Sequence, residues 1–130
     1  MAQLPDFLTT DCYVGGAWVR AESNERFDVT DPANGDVLAR VPRMSSTDTK
    51  AAIAAAQAAY EGWSGKTAAE RAAVLNAWAA AMRENAEDLA RLMTLVQGKP
   101  LAEARVEVEY AASFFTWFAV EVRWLYGDVI

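Results

Sequence analysis

Cys12 is the single thiol of the sequence, and no histidine accompanies it. A Ser–His or Cys–His nucleophile pair therefore cannot be assembled from these residues. Zinc would have to be held by carboxylates almost alone, an uncommon ligand set for that metal. Gly15-Gly16 and Gly62-x-x-Gly65 fit neither the dinucleotide fingerprint nor the phosphate-binding loop. Lys99 with Glu103 and Glu107 is the one charged grouping that resembles a site, and a solvated helix face accounts for it. Cys12, at the start of a β-prone run and without a basic neighbour, reads as a small hydrophobe. On these grounds the expected catalytic, cofactor-binding and metal residues are none.

The composition fits a folded chain of one domain or part of one. Of 130 residues, 53% are hydrophobic and 23% charged, which argues against long disorder. The formal net charge is −6 and no basic run appears, so nucleic acid is excluded as an expected partner. No apolar stretch approaches the roughly 18 residues of a membrane span. Met1 to Thr10 carry Asp6 and no basic residue, unlike a secretory or transit leader, so a cytoplasmic location is expected.

These residues must be positioned by two kinds of element. Cys12-Tyr13-Val14 and Ala17-Trp18-Val19 flank a Gly-Gly pair and predict a tight hairpin. Phe27 to Thr30 and Val37 to Val41 alternate apolar and polar residues around Asp31-Pro32-Ala33-Asn34-Gly35-Asp36, predicting a second. From Ser46 the pattern turns helical. An alanine-rich helix ends near Trp63. Thr67-Ala68-Ala69-Glu70 is a capping box for a second helix, with Val74, Leu75, Trp78 and Met82 on one side. A third starts at Asn85, carries Leu89, Leu92, Met93 and Val96, and stops at Gly98. Pro100 opens a fourth, reaching about Tyr126.

The fourth helix is apolar on two opposite sides. One stripe holds Leu101, Ala104, Val108, Ala111, Phe115, Phe118, Val122 and Tyr126. The other holds Val106, Tyr110, Ser113, Trp117, Val120 and Trp124. A helix with two such stripes sits between two bodies. The second stripe is too large an aromatic patch for a monomer to leave in water. Val106, Tyr110, Trp117, Val120 and Trp124 are therefore the candidate interface residues, the partner being further polypeptide, a second copy or another protein.

Several stretches carry a family likeness. They are Tyr13 to Val19, Phe27 to Val37, Val41-Pro42, Trp63, Glu70-Arg71 and Asp88 to Leu95. Most specific is Gln97-Gly98-Lys99-Pro100-Leu101-Ala102-Glu103-Ala104-Arg105, followed by Tyr110 to Phe114 and Tyr126-Gly127-Asp128. In this order they resemble the amino-terminal end of the aldehyde dehydrogenase superfamily, nearest to bacterial succinate-semialdehyde dehydrogenases. The resemblance implies hairpins and helices packed around a Rossmann-type NAD(P)-binding domain. It also implies that the catalytic Cys, the general-base Glu, the oxyanion-hole Asn and the cofactor loops have no counterpart here; Cys12 does not match the nucleophile. The chain departs from the family at Val96, Val106, Thr116, Val120, Val122 and Trp124, and Val106, Val120 and Trp124 fall on the second stripe.

The expectation is an α+β chain, a single partial domain over 1–130, with two β-hairpins in 11–42 and four helices in 46–126. It lacks the Rossmann core. Its family function is NAD(P)-dependent aldehyde oxidation, with no catalysis and no cofactor binding by these residues alone. The alternative is a stand-alone, self-associating helical module, a homo-oligomer rather than a piece of a dehydrogenase.

Overall fold

The computed structural model describes residues 4–124, the side chain of Arg123 excepted. The chain divides into two compact units. One runs to Ser64 and includes Leu95–Gly98; the other comprises Gly65–Thr94 and the chain from Lys99.

In the first unit, β1 (Cys12–Val14) and β2 (Ala17–Val19) pair antiparallel, with Tyr13 opposite Trp18. Gly15 and Gly16 both take positive φ, the turn geometry that matches strand twist in a two-residue hairpin. β3 (Arg26–Thr30) and β4 (Val37–Pro42) form a second antiparallel pair. Its turn is closed by its own side chains. The Asp31 carboxylate accepts from the Ala33 amide at 2.8 Å, and the Asn34 carbonyl oxygen accepts from the Asp36 amide at 2.8 Å.

Arg26 ties this hairpin to the preceding segment. Its guanidinium donates to Asp11 at 2.9 Å, to the Thr10 hydroxyl at 2.9 Å and to the Arg40 carbonyl at 2.9 Å. Helix α1 (Ser46–Ser64) follows, started by a reciprocal pair. The Asp48 carboxylate accepts from the Ser45 amide and hydroxyl, both at 2.7 Å, while the Ser45 oxygen accepts from the Asp48 amide. Asp48 also accepts from the Glu22 amide, beside the buried Ala21.

The second unit is helical. The capping box at Thr67 and Glu70 is formed and starts α2 (Ala68–Glu84). Helix α3 (Ala86–Gln97) begins in this unit, and α4 (Leu101–Glu121) packs along α2. Its core is made of small residues. Ala90, Ala104 and Val108 form the centre, with Ala86, Leu89, Met93 and Leu101 against them. Ala72, Ala79, Ala112 and Ala119 are the other buried positions.

Three details depart from the sequence reading. On α2 the buried line is Ala72 and Ala79, with Leu75 and Met82 beside it, while Val74 and Trp78 stay exposed. On α4, Phe118 is exposed and Ala112 and Ala119 are buried instead. Helices in close contact place their smallest residues at the crossing, and the large side chains splay to its edges. Trp78 accordingly lies at such an edge, its ring 4.9 Å from that of Phe115. Finally, α4 ends at Glu121 and passes into a 3-10 turn, Val122–Trp124, rather than continuing to Tyr126; Tyr126 lies outside the described residues.

Candidate functional site

Several of the charged groups are engaged in holding the fold. Lys99 donates to Glu107. Arg83 grips Glu109 with two nitrogens, at 2.9 and 3.0 Å, and reaches the Thr116 hydroxyl. Glu87 sits between two guanidiniums, Arg105 at 2.8 Å and Arg91 at 3.1 Å. In the first unit, Arg26, Arg40 and Arg43 line a shallow polar groove with Phe27 and Asp28. Arg40 is paired with Asp28, and Arg43 lies 5.3 Å over the Phe27 ring. Two ion pairs and a cation–π contact thus hold the arginines of the groove.

The ion pairs set an acid limit on stability. Hydrogen bonds from Arg105 hold the Glu87 carboxyl down at about 2, against an ordinary value of 4.5. Thr67 lowers Glu70, the Ser45 backbone amide lowers Asp48, and Arg83 lowers Glu109. For a depressed carboxylate the stabilisation is complete above the unfolded value and is lost as pH falls through the folded one. Tm should therefore hold down to pH 4.5 and decline between pH 4.5 and about 2. Glu87→Gln should flatten part of that decline in thermal melts across pH; an unchanged acid limb would show that the pair contributes nothing.

Cys12 is half-buried and free. Among the described residues no three Asp, Glu, Cys or His side chains cluster as metal ligands. Among the described residues no parallel strand leads into a glycine-rich turn of the dinucleotide-binding kind. Both sheets are antiparallel pairs, and the helices start at Ser45, Thr67, Asn85 and Pro100 rather than at a glycine-rich turn after a parallel strand. No helix among the described residues is long and apolar enough to cross a membrane.

What the structure gathers instead is surface. Val106, Tyr110, Trp117 and Val120 lie along one face of α4, opposite the buried Ala104, Val108, Ala112 and Ala119. Trp124 continues it in the 3-10 turn. These residues are 55–70% exposed. Tyr110 stacks edge-on against Phe114 at 4.8 Å. Other large side chains in the open were not singled out from the sequence: Tyr13 and Trp18 on the first hairpin, Ile53 and Tyr60 on α1. Helix α1 buries none of its residues. The signal was available, since Ile53, Ala56, Tyr60 and Trp63 recur at helical spacing on an alanine-rich helix.

Comparison with known proteins places this arrangement. The aldehyde dehydrogenase family matches residues 18–130. A 3-sulfolactaldehyde dehydrogenase of Pseudomonas putida is 50% identical over 97% of this chain and 26% of its own length. The succinate-semialdehyde dehydrogenase (NADP(+)) of Escherichia coli is 54% identical over 90% of this chain and 24% of its own. The crystal structure of a succinate-semialdehyde dehydrogenase from Burkholderia pseudomallei superposes with a TM-score of 0.93 at 47% identity, covering 99% of this chain and 27% of that one. The chain thus spans about a quarter of the length of the relatives it matches. With hairpins, helices and their order all shared with such enzymes, these 130 residues belong to the aldehyde dehydrogenase family.

Proposed function

We propose that this chain is the opening part of an NAD(P)-dependent semialdehyde dehydrogenase, and that it contributes framework rather than chemistry. One observation carries the reading: among the described residues the buried hydrophobic core is seven alanines and Val108, while Trp18, Tyr60, Trp78 and Trp117 stand in solvent. A self-sufficient domain buries its aromatic side chains, because each removes a large apolar area from water. Here those areas await more polypeptide. The hydride acceptor and the nucleophilic thiolate that such oxidation needs would be held by residues beyond these. Succinate semialdehyde, or a similar small aldehyde bearing an acid group, is the substrate class favoured by the names of the relatives.

The test is a chimera. These residues replace the matching quarter of the E. coli relative, and aldehyde-dependent NADP+ reduction is followed. The chimera is expected to be folded and active within about tenfold of the parent, because framework substitutions between compatible cores cost little in activity. An insoluble or inactive chimera, with the parent active in parallel, would contradict the reading.

A further inference from the structure

The turn between β3 and β4 carries chemistry of its own. Asparagine stands at positions 24, 34, 76 and 85, and Asn34 alone is followed by glycine. Glu25, Ala77 and Ala86, which follow the others, each bear a Cβ that shields the amide nitrogen between the two residues. Gly35 bears none. Asn34 and Gly35 are both exposed, and nothing lies within 4 Å of where a Gly35 Cβ would stand.

The turn also prepares the Asn34 side chain for attack. Its carbonyl oxygen accepts from the Asp36 amide at 2.8 Å, a donor placed where negative charge develops. Its amino group donates to the Asp36 carboxylate at 3.1 Å, which sets a group able to relay a proton beside the nitrogen that must leave. We propose that Asn34 is a site of spontaneous deamidation through a cyclic imide with Gly35, and that the isoaspartyl product loosens the hairpin. The Gly35 nitrogen bonds to the side-chain carbonyl carbon of Asn34. The bond from that carbon to the side-chain nitrogen breaks, and the proton given up by Gly35 leaves with that nitrogen as ammonia. Water then opens the ring at either carbonyl, giving aspartate or isoaspartate. The Gly35 N–H donates to the Asp31 carbonyl at 2.8 Å, so attack follows the opening of that bond, a small event at an exposed turn.

Isoaspartate reroutes the backbone through the side chain and lengthens it by a methylene. The added length falls between Asp31 and Asp36, where the Asp31 amide donates to the Asp36 carbonyl at 2.9 Å. Pro32 of the same turn lies against Gly98, so a loosened turn also withdraws support from the end of α3.

The 130-residue chain is held for weeks at neutral pH and physiological temperature, and samples are digested with trypsin. The peptide Phe27–Arg40, released by cleavage after Arg26 and Arg40, should gain about 1 Da over the starting sample. Part of the gain should be labelled by an isoaspartyl methyltransferase, and the rate should rise with pH above neutrality. Peptides holding Asn24, Asn76 and Asn85 should keep their mass. The isoaspartyl chain, separated by anion exchange, should melt below Asn34→Asp, which carries the same charge on an unaltered backbone. A free Phe27–Arg40 peptide gives the reactivity of the same sequence without the fold. A folded chain that stays intact while that peptide reacts, a mass gain without isoaspartate, an equal gain at the other asparagines, or an isoaspartyl chain as stable as Asn34→Asp would overturn the proposal.

Discussion

Gly98→Ala should lower Tm by about 10 °C, the result of a loss of roughly 2–3 kcal/mol. Two independent causes converge on this residue. Gly98 follows the last residue of α3 with φ +75°, a conformation that costs an L-residue roughly 1–2 kcal/mol. A Cβ built there would also lie 2.9 Å from Pro32 Cγ, inside van der Waals contact, and 3.7 Å from Pro32 Cβ. The pyrrolidine ring cannot rotate away as a long side chain would. Asp31 and Asn34 hold the turn around Pro32 closed, so relief would have to come from the backbone. Thermal melts of the two proteins decide the matter. A shift of a degree or less would show that the approach of Gly98 to Pro32 is not a feature of the folded chain.

Ala104→Leu should be as damaging, with loss of roughly 3 kcal/mol or of cooperative unfolding altogether. Ala104 and Ala90 are fully buried, and Val108 adjoins them. The added isobutyl group would enter the buried cluster of Ala90, Ala104 and Val108. Ala102→Leu, on the exposed side of the same helix turn, is the control and should change stability by no more than about 0.5 kcal/mol. Urea unfolding of the three proteins separates packing from helix propensity, because both substitutions add the same side chain to the same helix. Equal stabilities would mean that α4 is not packed through its small residues.

Those two sites show where the sequence could be read and where it could not. The hairpin turns and helix starts were legible because each has local chemistry. Gly15-Gly16 supply positive φ, Thr67 and Glu70 satisfy each other's backbone amides, and Gly98 with Pro100 breaks the chain between α3 and α4. The buried faces were harder. Reading from side-chain size grouped Val74, Leu75, Trp78 and Met82 on one side of α2 and set Phe118 in a stripe with Val108, whereas close helix contact buries Ala72, Ala79, Ala112 and Ala119. On α4 the buried line is centred near Val108, so Phe118 lies about 80° off it and falls on the flank. Contacts between distant residues left no local trace. The clasp of Arg26 on Thr10 and Asp11, and that of Arg83 on Glu109, depend on where the backbone has already gone.

The exposed residues Val106, Tyr110, Trp117 and Val120 of α4 were legible for the opposite reason. A stripe of large residues facing away from an alanine core is visible in spacing alone. It is also consistent with the family likeness. A chain matching a quarter of its relatives' length would expose surfaces that a complete enzyme covers.

The central claim, that these residues carry framework and not chemistry, is open to one direct measurement. The purified 130-residue chain is mixed with succinate semialdehyde and NAD+ or NADP+, and reduced nicotinamide is followed against a chain-free control. The account predicts a rate indistinguishable from the control with either cofactor. Sustained aldehyde-dependent reduction that scales with the amount of chain would contradict it.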